Sequence, residues 1–323
     1  MPHRSLLTVA LRVLIVSALL CGAARAQTGA DCPPTAQVPT PEQIRAGMAA
    51  ARDHGFLWRI AKDGRTSWLF GTVHVARPEW MYPGPALKRA LDASDTIALE
   101  LDVLDPEVQQ RMARAMAAPA DAPPLPEALR ERVQRRAAAE CLPQQALAGL
   151  GPEMQIASLA SLAGRRVGLD PAYGIDVFLS GWGHAANKAV ASLETPELQL
   201  QALRMGSADE AIEFVESALD EMESGRAGPA LARVAQVWAD ADLGALARYE
   251  SWCECMKTAA DRAAMARMLD ERNPALADGI AALHASGKRV FAAVGSLHMI
   301  GATGLPTLLA QRGFRVERVS GKR

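Results

Sequence analysis

No charge of one sign dominates this chain. Its 323 residues carry 35 Lys and Arg against 36 Asp and Glu, a formal net charge of −1. The basic residues are scattered along the sequence instead of gathered on one helix. This leaves no electrostatic footprint for a polyanion and excludes nucleic acid as an expected partner. The metal-binding pattern HExxH is absent, and no repeat of solenoid length recurs. Half of the residues are hydrophobic and 22% are charged, so the chain can bury a substantial core and disorder is not expected. A bilayer-length apolar run of ~20 residues is also missing.

The longest apolar stretch is at the start, MPHRSLLTVALRVLIVSALLCGAARAQ. A short basic beginning (His3, Arg4), an apolar core from about Leu11 to Leu20 interrupted by Arg12, and the Ala24-Arg25-Ala26 site match a secretory leader cut after Ala26. An uncleaved anchor is the competing reading. Cys21 is preceded by Leu19 and Leu20 where a lipoprotein signal has small residues, so it belongs to the leader. Residues 1–26 are therefore read as a signal peptide, and the mature protein as exported, periplasmic or secreted, with no membrane contact beyond that signal. Four cysteines remain, Cys32, Cys141, Cys253 and Cys255. An oxidising compartment permits up to two disulfides, with connectivity open. Cys253 and Cys255 are not expected to pair with each other, because helix neighbours two apart point to different faces.

Residues 27–54 read as an N-terminal extension with a short helix from Pro41, and residues 55–323 as one domain. FLWRIA and TSWLFGTVH flank Asp63-Gly64, the signature of a β-hairpin. A helix over Pro85 to Ala93 precedes SDTIALELD, whose alternation predicts a strand with Glu100 and Asp102 on one face. Near the other end come a helix from Pro274 to Ser286, the apolar strand VFAAV, a glycine turn, a helix from Leu305 to Gln311 and the strand FRVERV. Strands without alternation belong to sheets covered on both faces. Between these ends, about 104–270, the pattern is mostly helical. It is broken by a short strand, Ala189 to Glu194, before Thr195-Pro196, and by a capping signature from Ser207 to Glu210. The expected fold class is α/β, a mixed sheet flanked by helices with a long helical middle insertion.

Two of the six histidines share one local context. Trp68 to Phe70 runs into Gly71-Thr72-Val73-His74, and Ala292 to Val294 runs into Gly295-Ser296-Leu297-His298. A glycine after a buried strand lets the chain turn at the strand end, where α/β sheets place their ligand crevices. Glu100, near the end of a third strand, can reach the same crevice if the three strands are neighbours. Two imidazoles and a carboxylate suit a divalent ion such as zinc, manganese or cobalt, and water on such an ion loses its proton near neutral pH. Otherwise His74 and His298 hydrogen-bond loop backbone and Glu100 is solvated.

Three stretches, GTVHVARPEWMYPGPALKRALDASDTIALELD, GIDVFLSGWGHAANKAVASLET and ERNPALADGIAALHASGKRVFAAVGSLHMIGATGLPTLLAQRGFRVERV, resemble the TraB/PrgY/GumN family, which includes TIKI-type metalloproteases. The resemblance spans about Trp58 to Val319. It implies a fold akin to erythromycin-esterase and ChaN-like proteins and a metal-dependent, peptidase-like activity on a peptide or protein substrate. On its motifs His74, Glu100 and His298 are the expected metal ligands. Asp176, Glu194 and Arg272-Asn273 also match family positions. Asp176 or Glu194 would take a proton from water, and Arg272 would pair with a carboxylate or hold a substrate oxygen, unless all three form a structural network. The expected function is an exported metal-dependent hydrolase with Glu100, Asp176, Glu194 and Arg272 in catalysis. The alternative is a non-catalytic periplasmic protein that binds a peptide, a metal or haem, or assists polysaccharide export. Substrate, metal identity and oligomeric state are not legible. His184 is expected at a surface or between helices, His54 ahead of the first strand and His284 on a polar stretch of helix. Tyr173, Trp182 and Trp238 are read as packing residues that could border a groove, and the methionines as core filler.

Overall fold

The computed structural model describes residues 32–319, apart from 121, 122, 254 and 257; the leader expected over 1–26 lies outside the described residues. Six strands, β1 (Phe56–Lys62), β2 (Arg65–Thr72), β3 (Thr96–Leu99), β4 (Ala189–Ser192), β5 (Val290–Gly295) and β6 (Arg315–Val319), form one sheet in the order β4-β3-β5-β2-β1-β6. β1 and β2 make the expected hairpin, with Lys62 opposite Arg65. Asp63 and Gly64 both have positive φ, 51° and 73°, as a two-residue turn with right-handed strand twist requires. β2, β5, β3 and β4 are mutually parallel, while β6 closes the other edge antiparallel to β1. The sheet is thus mixed.

Helices cover both faces, which is why the central strands lack polar alternation. All four residues of β3 are buried, and Phe70, Ile97, Phe291 and Val294 are fully excluded from water. Each such apolar side chain contributes about 1.5–3 kcal/mol on burial. β3 stops at Leu99, earlier than the alternation suggested, and Glu100 and Asp102 do not share a face. Glu100 turns toward β5, whereas Asp102 accepts from Ser180 Oγ at 2.5 Å and lies 2.8 Å from His184 Nε2. The chain leaves the pleat at this point because Asp102 is held by the helix Ile175–Ala185.

The long insertion between β3 and β5 is helical apart from the edge strand β4. The helix expected from Pro41 spans Pro41–Ala50, begun by a Thr40 capping box. Ser207 starts its helix by accepting from Glu210 N, although Glu210 itself reaches back to the Gly206 N–H. Two disulfides are present, Cys32–Cys141 and Cys253–Cys255. The second corrects the expectation that these neighbours would not pair. The helix Tyr249–Trp252 ends before Cys253, and outside helical geometry the two side chains turn toward each other. His284 lies on a helix as expected, Asn273–Ala285, and is buried there, with Nδ1 2.8 Å from Ser67 Oγ and Nε2 3.0 Å from the Lys62 carbonyl, so it ties its helix to the hairpin. No helix among the described residues is long and apolar enough to cross a membrane.

Candidate active site at the strand ends

The register of the parallel strands sets the site. Thr72 lies opposite Gly295, and Leu99 opposite Ala293, so β2, β5 and β3 end almost level. His74 follows β2 by two residues, Glu100 follows β3 directly, and His298 sits in the single 3-10 turn Ser296–Met299 after β5. A methyl group built at Gly295 would lie 3.3 Å from Glu100 Oε1, 3.6 Å from His298 Cδ2 and 3.6 Å from His74 Nε2. The three side chains therefore surround one point. Neither motif glycine has a positive φ. Their role is close approach: a methyl group at Gly71 would meet Ser296 Oγ at 3.0 Å.

Each imidazole is anchored through Nδ1. His74 Nδ1 lies 2.5 Å from Asp176 Oδ2, and Asp176 Oδ1 accepts from Thr72 Oγ1 at 2.5 Å. Asp176 occupies the first turn of the helix Ile175–Ala185, whose first N–H donates to the Val73 carbonyl at 2.9 Å. His298 Nδ1 lies 2.6 Å from Asn273 Oδ1, and since that oxygen only accepts, the ring carries its proton on Nδ1. Both Nε2 atoms are left as the free ring nitrogens. This is the arrangement in which an outer partner fixes ring orientation and tautomer for a ligating histidine.

Glu100 is buried at 6% exposure. Its Oε1 accepts from Gly295 N at 2.8 Å, and its Oε2 accepts from Gln199 Nε2 at 2.9 Å and Arg272 Nη2 at 2.8 Å. Arg272 also donates from Nε to Glu194 Oε1 at 2.9 Å, from Nη2 to Glu194 Oε2, and from Nη1 to the Met268 carbonyl at 2.8 Å. Gln199 spans both carboxylates, reaching Glu194 Oε2 at 3.1 Å. Arg272 thus clamps two buried acids.

Three carboxylates and one guanidinium are gathered around the two rings: Arg272 pairs with Glu100 and Glu194, and Asp176 with His74. Burial opposes the charged form of His74, but Asp176 and Glu100 outweigh it and raise its pKa. Burial and the Arg272 charge push His298 down to about 3, so it is neutral. Burial alone would raise Glu100, but the Arg272 ion pair holds it well below the usual carboxylate range. His298, neutral above about pH 3, carries no charge that could hold Glu100 down near neutrality. Arg272 is the dominant cause.

His74, Glu100, Arg272 and His298 line a cleft of about 50 Å³. Asp176 and Glu194 stand behind them. Trp238 borders the same cleft, and its indole donates to the Gly71 carbonyl at 2.7 Å. Tyr173 lies elsewhere, accepting from the Gln37 N–H at 2.8 Å. Thr72 and Gln199 had not been singled out from the sequence. Thr72 lies inside the Gly-x-x-His motif, but Gln199 is marked only by its place one turn into the helix capped by Thr195. Among the described residues, no group of three or more His, Cys, Asp or Glu side chains is disposed to hold a metal ion. The donors of the cleft are two free imidazole nitrogens and a carboxylate oxygen already shared with a backbone N–H. Imidazole nitrogen and carboxylate oxygen are donor types that divalent ions take.

No curated protein and no solved structure matches the chain. The family model for TraB/PrgY/gumN matches residues 56–318, which takes in every strand but the last residue of β6 and every side chain of the cleft, and the chain belongs to that family.

Proposed function

We propose that the protein is an exported metal-dependent hydrolase acting on amide bonds, with His74 Nε2, His298 Nε2 and Glu100 Oε1 as the donor set. The observation that carries this reading is the outward anchoring of both rings at Nδ1, which leaves two free nitrogens beside a buried carboxylate. The carboxylates beside the rings support it further, since the same charges that raise the pKa of His74 would also favour a bound cation. A divalent ion, zinc, manganese or cobalt, would supply Lewis acidity toward an acyl oxygen and water acidified to near neutral pH.

The chain's own part is positioning. Asp176 and Asn273 orient the two rings, while Arg272 and Gln199 fix Glu100 and Glu194. Peptide or protein substrates are the proposed class. Export is supported by the leader-like residues 1–26 and by two disulfides, which persist in oxidising compartments.

A second reading, a non-catalytic periplasmic binding or accessory protein, is favoured by the small cleft and by the prior engagement of Glu100 with Arg272. The two are separated by metal content and peptide-library hydrolysis for the parent, His74→Ala, His298→Ala and Glu100→Gln. The hydrolase reading expects both histidine variants to lose ion and turnover. Glu100→Gln then distinguishes a donor, when the ion is lost, from a base, when only turnover is lost. Unchanged metal stoichiometry in both histidine variants removes the donor set, and an ion held without cleavage of any amide or ester favours the binding protein.

A further inference from the structure

The cleft has two unlike walls. The strand ends supply one, with His74, Glu100, Arg272 and His298. Helix Ala227–Ala239 supplies the other, turning Leu231, Val234, Ala235 and Trp238 into the cleft at i, i+3, i+4 and i+7. Leu246, Met268 and Leu269 extend that wall. It bears no charge, and its one polar atom, the Trp238 indole nitrogen, is committed to the Gly71 carbonyl.

We propose that this wall is a specificity pocket for a short branched aliphatic substituent on the acyl group whose amide bond is hydrolysed, an inference that rests on the hydrolase reading above. With the carbonyl directed at the donors, the substituent meets Val234 and Ala235. A charged or strongly polar substituent would be buried there without a partner, a large cost. Arg272, the cation lining the cleft, cannot compensate, because Glu100 and Glu194 occupy it. Size is limited as well. A volume of about 50 Å³ holds roughly three to five waters, or a small apolar group in their place. In the reaction the oxygen of water bonds to the acyl carbon and the acyl C–N bond breaks. The nitrogen leaves as an amine carrying a proton from water, and the products are an acid and an amine.

Three hydroxamates probe the wall through binding alone. Acetohydroxamate, 3-methylbutanohydroxamate and the monohydroxamate of succinate are titrated calorimetrically into the full mature protein loaded with zinc, its ion content having been measured first. The branched probe is expected to bind at least about tenfold more tightly than acetohydroxamate, and the charged probe no more tightly. Val234→Ser and Ala235→Leu should each remove most of the branched probe's advantage while acetohydroxamate still binds. Val234 is only partly buried, so its serine variant tests the wall even if Ala235→Leu fails to fold. Ion bound with equal affinity for the neutral probes overturns the pocket and leaves the donor set standing. No ion taken up removes the donor set, and the pocket with it.

Discussion

His298 keeps one ring nitrogen for Asn273 and turns the other into the cleft, and this division of labour has a measurable consequence. Asn273→Ala leaves the ring free to rotate and to shift tautomer without deleting the donor. Zinc affinity measured by competition with a chromophoric chelator is expected to fall about 10- to 100-fold, with the fold retained. An unchanged affinity would show that the Asn273 contact does not position the ring. At this scale the two Gly-x-x-His segments were legible because strand, glycine and histidine are contiguous and their signal is local. Gln199 was not, because its importance comes from reaching Glu100 and Glu194 across a helix-to-strand gap. The burial of His284 was not legible either, because the partners that permit it, Ser67 and the Lys62 carbonyl, are remote in sequence.

Helix Ala227–Ala239 is fastened over the strand ends by Trp238, whose ring also lies near Phe70, Trp80 and His54. Trp238→Phe keeps much of this packing but strands the buried Gly71 carbonyl. Denaturant unfolding is expected to show a loss of about 1–3 kcal/mol, against about 3–5 kcal/mol for Trp238→Ala. A Trp238→Phe variant as stable as the parent would mean that the hydrogen bond contributes nothing, and equal losses in the two variants would mean that the ring packing adds nothing. Element existence was well marked in the sequence: Leu305–Gln311 matches its predicted span, and β5 and the helix after it fall where periodicity and glycine placed them. The early end of β3 was not marked, since alternation continues through Leu101 while Ser180 and His184, far along the chain, decide where Asp102 goes.

Over the whole molecule, the Cys32–Cys141 bridge joins residues 109 apart and ties the N-terminal segment to the helical insertion. The Cys253–Cys255 bridge spans two residues. If chain entropy governs their effect, removing the first by paired Cys→Ala substitution costs about 4–5 kcal/mol and removing the second about 1–2 kcal/mol. Equilibrium unfolding of the two double variants checks the order, and a reversed order would contradict it. The α/β class and the helical insertion were readable from periodicity, whereas the strand order β4-β3-β5-β2-β1-β6 depends on pairings remote in sequence.

The central claim, that one divalent ion is held between the two motif histidines, is tested most directly by anomalous diffraction at the zinc edge from crystals of the zinc-loaded protein. The account predicts a peak about 2.0–2.1 Å from both His74 Nε2 and His298 Nε2, with Glu100 within reach. An anomalous map with no peak between these rings, or a zinc ion bound only elsewhere, would contradict it.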